Sequence, residues 1–299
     1  MTSHPKPDIG TGRAPRVLVG YDGSPAAAEA ITVGASLLPG ATASVAYLWS
    51  PPFASPELFA HLRRRASNLN ELLELVEAEG GAEAQRLVAT GVAVARANGW
   101  SADSVVRRTY GGEGFEMAAL AEELEADVIV VGSRGLGGTR AVLGSVSELI
   151  VHYSTRPVLV VPPLATTAYE ALAAGSLVVG WDGSPGGNVA LASAADLFPD
   201  RELIVVEVRS QGDQDPGQPD ELPARARFVR LPLIDRMGYS RAVAEQLDTI
   251  ADEHAAAAIV VGSRGRGAIR ELLLGSVAKS TLHNVRRPVL VAPKPRSER

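Results

Sequence analysis

One stretch of sequence occurs twice in the chain. Asp127–Val146 reads DVIVVGSRGLGGTRAVLGSV, and Ala258–Val277 reads AIVVGSRGRGAIRELLLGSV. Each copy predicts a buried strand, a glycine-rich loop and a helix that begins at Ser145 or Ser276. Glycine permits positive φ angles and close backbone approach, and a helix N-terminus presents free N–H groups. We interpret each copy as an anion site, although a lone glycine-rich turn after a strand is also a common strand-to-helix connection.

A second repeat shows that the chain consists of two related halves. VLVGYDGSP at Val17–Pro25 is matched by LVVGWDGSP at Leu177–Pro185. The first motifs lie 160 positions apart (Gly20 to Gly180), but the glycine loops lie only 130 apart (Gly132 to Gly262), so the second half is shorter in its middle. A long helix is missing there. Ser210–Pro223, rich in Asp, Gln, Gly and Pro, predicts an exposed loop in its place.

Strand and helix patterns alternate along both halves, which predicts an α/β fold with a parallel, doubly wound sheet. The predicted helix at Pro56–Asn98 is the long one, and we expect the Gly80-Gly81 pair to break it. The domain boundaries follow as a disordered tail at 1–15, domains at 16–162 and 176–293, a linker at 163–175 and a tail at 294–299. The predicted strands are Arg16–Gly20, Ala41–Trp49, Ser104–Thr109, Val128–Val131, Pro157–Val161, Leu177–Gly180, Arg227–Leu231, Ala258–Val261 and Pro288–Val291; the other helices are Ser24–Leu38, Phe115–Leu124, Ser145–Tyr153, Tyr239–His254 and Ser276–Val285.

Composition narrows the classes of function. The net charge of -5 gives no general attraction to nucleic acid or to anionic lipid, so we expect neither as a partner. The chain has no cysteine, no long apolar run and no histidine pair at metal-ligand spacing. We therefore expect a cytoplasmic protein with no metal site, and we assign no catalytic residue.

The motifs V-G-x-D-G-S-P and G-x-x-G-x9-G-[ST] resemble those of the universal stress protein family, here in tandem. The resemblance implies a five-stranded, doubly wound, Rossmann-like fold in each half, related to the adenine-nucleotide α-hydrolases. It also implies binding of ATP, with or without Mg²⁺, without strong catalysis. The second half has the family's nine residues between Gly265 and Gly275, whereas the first has eight between Gly135 and Gly144. That deletion is either absorbed at Gly137-Gly138 or tilts the Gly144-Ser145 amides away from the phosphates.

The resemblance also implies which residues contact the nucleotide, all of them at the carboxyl ends of strands, where α/β sheets bind ligands. The implied adenine and ribose contacts are Gly20, Tyr21, Asp22 and Leu48 in the first half, and Gly180, Trp181, Asp182 and Val208 in the second. The implied phosphate contacts are Val131, Gly132, Gly135, Gly144, Ser145 and Val146, and Val261, Gly262, Gly265, Gly275, Ser276 and Val277.

Several of these residues have a structural alternative. Asp22 and Asp182 are also good turn residues before a helix, and Ser145 with Glu148 forms the S-x-x-E pattern of a capping box. Lys279 replaces the glutamate in the second half and is expected to add a cation for the phosphates. Five arginines are further phosphate candidates, with solvated surface positions as the alternative: Arg134, Arg140, Arg264, Arg266 and Arg270.

The leading hypothesis is a non-catalytic stress-response protein that senses ATP and signals to an unidentified regulatory protein. The alternatives are a structural or interaction module that binds no nucleotide, and a slow ATPase.

The last strand of each half, Arg156–Val161 and Arg287–Ala292, is expected to be an apolar sheet edge. The two edges can pair antiparallel, which makes the chain an intramolecular pseudo-dimer, as the resemblance also implies. The long helix has more apolar residues than one stripe needs, so we expect it to cover part of the second half or a second chain in a homodimer. Those residues are Leu58, Phe59, Leu62, Leu69, Leu72, Leu73 and Val76.

Overall fold

Short β-branched runs form strands that are buried on both faces, and alanine-rich segments form the helices that cover them. The computed structural model describes residues 13–50, 56–134, 143–210, 212, 215–235, 238–265 and 274–293, with the side chains of residues 56–58 left out. In β1 (Arg16–Gly20), Val17 and Val19 enter one core while Leu18 enters the core on the opposite face. The predicted α/β fold with helices on both faces is confirmed.

The first half continues in the predicted order. Its elements after β1 are α1 (Pro25–Leu37), β2 (Thr42–Trp49), α2 (Pro56–Arg65), α3 (Leu69–Ala97), β3 (Ser101–Arg108), α4 (Glu113–Glu123), β4 (Val128–Gly132), α5 (Ser145–Tyr153) and β5 (Val158–Val161). A short helix, α6 (Thr166–Ala171), leads to the second half. That half contains β6 (Leu177–Gly180), α7 (Pro185–Leu197), β7 (Leu203–Arg209), β8 (Ala226–Pro232), α8 (Tyr239–Glu253), β9 (Ala258–Gly262), α9 (Ser276–Asn284) and β10 (Val289–Ala292).

The described strands form a single ten-stranded sheet in the order β3-β2-β1-β4-β5-β10-β9-β6-β7-β8. Within each half all pairs are parallel. The one antiparallel pair joins the halves, with Leu159 opposite Leu290. Because β5 and β10 are antiparallel, the strands of the two halves run in opposite directions. The carboxyl ends of the strands in the first half therefore lie along one edge of the sheet, and those in the second half lie along the opposite edge, both edges running across the strand direction.

The predicted break of the long helix at Gly80-Gly81 is wrong. The break lies at residues 66–68, and α3 then continues through both glycines. Asn68 caps α3 by accepting a hydrogen bond from the Glu71 amide (2.9 Å), and the Glu71 carboxylate accepts one from the Ser67 amide (2.7 Å). This reciprocal cap starts a new helix. Two glycines inside a long helix cost only about 1 kcal/mol each, which its packing offsets.

The long helix also lies elsewhere than predicted. It packs on α1, β2 and β3 of its own half, at the end of the sheet farthest from the second half. Of its apolar residues, Val76 is buried, whereas Leu69 and Leu73 are exposed. The prediction that the long helix covers part of the second half is therefore wrong. A crossover helix packs on the two strands that it connects, which here are β2 and β3. The homodimer stays a prediction.

Smaller differences concern element ends and the linker. The third strand starts at Ser101 rather than at Ser104. The predicted linker contains α6, whose Ala168 and Ala171 are buried in the same core as α1 and α7. Arg201 holds the end of this helix, since its guanidinium donates to the carbonyls of Leu172 (2.6 Å) and Gly175 (2.8 Å).

Strand β10, which joins the second half to β5 of the first half, provides the first test of the fold. Leu290 is fully buried and lies between β5 and β9. Leu290→Pro removes a strand N–H and should lower the free energy of unfolding far more than Leu290→Ala, which removes only side-chain packing. The N–H that is lost faces β9, because Pro288, just before β10, and Ala292 accept hydrogen bonds from the β9 side and alternate residues of a strand face the same neighbour. Urea denaturation followed by circular dichroism compares the two variants, and equal effects would mean that the backbone pairing of β10 in the middle of the sheet contributes no stability.

The Arg201 contacts give the second test. Arg201→Met retains an apolar stem but leaves partly buried carbonyls without their charged donor, so it should lower the free energy of unfolding by about 1.5–3 kcal/mol. The control is Arg227→Met, which removes an exposed ion pair with Glu202 (3.2 Å) and should change stability by less than about 1 kcal/mol. Similar losses for the two variants, measured by urea denaturation, would refute a stabilising role of Arg201.

Candidate functional site

Asp22 and Asp182 follow the carboxyl ends of β1 and β6 and form the same turn. Oδ1 of Asp22 accepts a hydrogen bond from the Ser24 amide (2.9 Å), and Oδ1 of Asp182 accepts one from the Ser184 amide (3.0 Å). Gly23, which lies between Asp22 and Ser24, has a φ of 81°, a conformation that favours glycine. The turn role proposed as an alternative for both aspartates is therefore present.

The carboxylate of Asp182 also faces the glycine loop. A Cβ atom added to Gly265 would lie 2.7 Å from Oδ2 of Asp182. The turn and the loop after β9 are thus brought together at one edge of the sheet, as the sequence predicted. The corresponding glycine of the first half, Gly135, lies outside the described residues.

Tyr21 and Trp181 contribute backbone rather than side chains to this edge. The Tyr21 ring is buried beneath α3, and a Cβ atom on Gly91 would lie 2.8 Å from its Cδ1. Burial, followed by the charge of Asp22, raises the pKa of Tyr21. The Trp181 ring is buried edge-on against Phe228 with ring centroids 5.7 Å apart.

Leu48 and Val208 occupy equivalent positions beside the turns. Gly20 pairs with Ala46, and Gly180 pairs with Val206, so the two candidates lie two residues further along the neighbouring strand. Both contact the core that also contains α4 and α8. The strand register thus brings them to the same edge as the aspartates.

The glycines at the ends of β4 and β9 allow close packing against the first helix of each half. A Cβ atom on Gly132 would lie 2.9 Å from the Ala26 carbonyl oxygen, and one on Gly262 would collide with the Gly186 carbonyl. Positive φ is not the reason for glycine further along the loop, because φ is -61° at Gly144 and -60° at Gly275. That part of the expectation is wrong for these two residues.

The helices that follow the loops begin where predicted, but without a capping side chain. Gly144 and Gly275 are the N-caps of α5 and α9, and neither has a side-chain hydrogen bond at the cap in the described structure. By contrast, Ser24 and Ser184 cap α1 and α7 by accepting from the amides of Ala27 and Gly187, each at 3.1 Å.

The alternative interpretation of Ser145 as part of a capping box is wrong, because Gly144 occupies the cap position and Ser145 is the first helical residue. The amides in the first turn of each helix have no partner within the helix. They include those of Ser145 and Val146 in α5, and those of Ser276 and Val277 in α9. Val131 and Val261 are buried strand residues just before the loops.

Lys279 lies near a carboxylate of the other half, and its role as a cation for the phosphates stays a prediction. Its Nζ lies 3.7 Å from Oε1 of Glu148 on α5, so it forms an ion pair between the halves. Of the candidate arginines, Arg134 and Arg264 follow the buried residues Ser133 and Ser263 in the loops. The other three, Arg140, Arg266 and Arg270, lie outside the described residues.

Two polar residues beside the loops were not predicted. The buried hydroxyl of Ser147 donates to the Gly132 carbonyl (2.8 Å) and so holds α5 against the end of β4. Ser263 lies directly after β9 and is buried. The sequence could have indicated Ser263, because both Gly-Ser-Arg-Gly motifs contain a serine at this position (Ser133 and Ser263). It could not have indicated Ser147, because the equivalent residue of the second copy is Ala278.

A tandem, doubly wound α/β sheet with a glycine loop and an uncapped helix at the carboxyl ends of its strands defines a class of Rossmann-like proteins. Residues 14–162 and 175–293 both match the Universal stress protein family. The chain belongs to that family, as the sequence motifs indicated.

Individual relatives agree with this assignment. A universal stress protein of Mycobacterium tuberculosis is 33% identical over 188 residues, which cover 56% of this chain and 62% of that relative. A second one from the same organism is 27% identical over 312 residues and covers 93% of this chain and 95% of its own length. The crystal structure of a universal stress protein from Archaeoglobus fulgidus has a TM-score of 0.64 at 18% identity and covers 94% of this chain and 97% of its own.

Within the residues that the structure describes, no helix has the length and apolar character needed to cross a membrane.

The two N-cap glycines predict different responses to alanine. A Cβ atom on Gly144 would meet nothing closer than 3.5 Å, so Gly144→Ala should change the free energy of unfolding by less than about 1 kcal/mol: the restricted unfolded state raises it, and the poorer capping by alanine lowers it. One on Gly275 would lie 3.1 Å from the Ser263 carbonyl oxygen, which would have to shift, so Gly275→Ala should have the lower free energy of unfolding of the two variants. Urea denaturation without ligand tests the difference, and the reverse order would contradict the packing described for the loops.

Proposed function

We propose that the protein binds ATP, with Mg²⁺ as its counter-ion, and acts as a sensor in the stress response. The observation that carries the proposal is the meeting of Asp182, Gly265 and the uncapped start of α9 at one edge of the sheet. A carboxylate accepts hydrogen bonds from ribose hydroxyls or an adenine amino group, while helix amides and the helix dipole favour phosphate. The nucleoside end and the phosphate end of ATP thus each have complementary groups.

The first half offers the same arrangement in Asp22, Gly132 and the start of α5. We propose that the chain is an intramolecular pseudo-dimer with one site per half. The antiparallel pairing of β5 with β10 supports this, since it relates the halves by an approximate twofold axis. The two sites would then lie at opposite edges of the sheet, where two bound triphosphates do not meet.

We propose further that the second site is the stronger one. Its spacer between Gly265 and Gly275 has the length of the family motif, while the spacer of the first half is one residue shorter. Lys279 near the start of α9 is the second reason, since its side chain is exposed and its contact with Glu148 is 3.7 Å long. Exposed ion pairs of this kind contribute little, so the cation can still reach a phosphate.

A sensing role is favoured over an ATPase because the residues at the site serve to hold a ligand. Oδ1 of Asp182 is already bonded to the Ser184 amide, which fixes the carboxylate as an acceptor beside the loop. The slow ATPase and the module without nucleotide become outcomes of the test. ADP formed during prolonged incubation with ATP would indicate the former, and no binding of any nucleotide the latter.

Isothermal titration calorimetry with Mg-ATP and Mg-GTP tests the proposal. We expect heat with ATP and at least tenfold weaker binding of GTP, roughly the discrimination that one or two base hydrogen bonds provide. Asp182→Asn can still accept from the Ser184 amide, so the fold should persist while ATP affinity at the second site falls. Asp22→Asn is the matched variant in the first half and should affect the weaker site.

No heat with Mg-ATP at millimolar concentration would refute ATP binding. A larger loss of total affinity in Asp22→Asn than in Asp182→Asn, with both variants folded by circular dichroism, would reverse the ranking of the sites.

A further inference from the structure

Ser263, in the loop after β9, has a hydroxyl group that the fold leaves unsatisfied. The residue is only 8% exposed, and in the part of the chain that the structure describes its Oγ has no hydrogen-bond partner. A buried hydroxyl without a partner lowers stability, because it has given up its hydrogen bonds to water without replacing them. Such a group in a nucleotide-binding motif points to a partner that arrives with the ligand.

The position of Ser263 relates this hydroxyl to the start of α9. Ile259 and Val261 of β9 belong to the core that contains Ala278 and Leu282 of α9. Side chains alternate along a strand, so Ser263 continues the face that packs against α9. Its carbonyl oxygen accepts a hydrogen bond from the Gly275 amide (2.7 Å), which places the residue directly beside the helix N-cap.

The first half uses its polar groups differently at the corresponding place. There the Ser147 hydroxyl donates to the Gly132 carbonyl (2.8 Å) and ties the helix to the end of the strand. Ala278, which is buried, stands at the position of Ser147 in α9 and has no hydroxyl to offer. The second half therefore lacks the internal tie and has the unsatisfied hydroxyl of Ser263 instead.

We propose that the Ser263 hydroxyl is a phosphate-binding group of the second site, where it donates a hydrogen bond to a phosphate oxygen held at the N-terminus of α9. The inference rests on the proposed nucleotide function and adds a residue to its second site. A hydrogen bond from a hydroxyl to an anionic oxygen is short and strong, because the acceptor is charged. The bond would satisfy a buried loop hydroxyl that the described structure leaves without a partner.

The test compares Ser263→Ala with Ser133→Ala, its counterpart in the first half, both in an Asp22→Asn background that weakens the first site. Calorimetry is done with Mg-ATP, adenosine and inorganic tripolyphosphate. We expect Ser263→Ala to weaken Mg-ATP and tripolyphosphate about tenfold and to leave adenosine unchanged. Ser133→Ala should change none of the three at the second site.

Urea denaturation of the ligand-free variants separates this role from a structural one. Ser263→Ala removes an unsatisfied group and should leave the midpoint unchanged or raise it. A lowered midpoint with unchanged Mg-ATP affinity would overturn the inference, because the hydroxyl would then serve the fold.

The probes also separate this inference from the broader proposal. If the protein binds tripolyphosphate but no ATP, the proposed nucleotide function is wrong. The role of Ser263 is then supported if Ser263→Ala weakens the binding of tripolyphosphate, and overturned if it does not. If the protein binds neither anion, both fail.

Discussion

The antiparallel pairing of β5 with β10 is the interaction on which the rest of the structure depends. Each half ends in a strand of four apolar residues that would be an exposed edge in an isolated domain. Pairing Leu159 with Leu290 buries both strands in the middle of the sheet. The same pairing directs the strand ends of the two halves to opposite edges, so that each candidate site is built from one half alone.

Loss of the long helix makes the halves unequal beyond this junction. In the first half α3 covers Tyr21 and packs on β2. In the second half a loop takes that place, and Arg230 holds it: the guanidinium donates to the buried Glu207 (2.6 Å), to Asp215 (2.9 Å) and to the Gly217 carbonyl (2.9 Å). Arg230 also lies over Phe228, whose ring packs against Trp181. An ionic network and an aromatic pair thus replace the apolar face of a helix.

Repetition made most of the fold predictable, because two copies of each motif constrained where strands end and helices begin. α5 was predicted to the residue, and the carboxyl-end positions of Asp22 and Asp182 followed from strand order. What failed or was missed depended on particular side-chain partners. The Gly80-Gly81 break was overruled by the cap that Asn68 and Glu71 form, although Asn68-x-x-Glu71 is a capping pattern that the sequence itself displays. The pairing of Lys279 with Glu148, by contrast, depends on how the halves meet and leaves no trace in the local sequence.

Folding and binding are not alternative explanations for the aspartates. Oδ1 of Asp182 completes the turn to Ser184, while Oδ2 lies against Gly265, where even a methyl group would come within 2.7 Å. The turn therefore fixes the carboxylate before any ligand arrives, and the glycine keeps the loop close to it. Because a preordered acceptor loses little entropy on binding, a residue that stabilises the turn is also well suited to hold a nucleoside. The helix starts differ in the same way: serine side chains cap α1 and α7, whereas α5 and α9 begin with glycine. Under the proposed function, the first pair is completed by the fold and the second pair receives the anion.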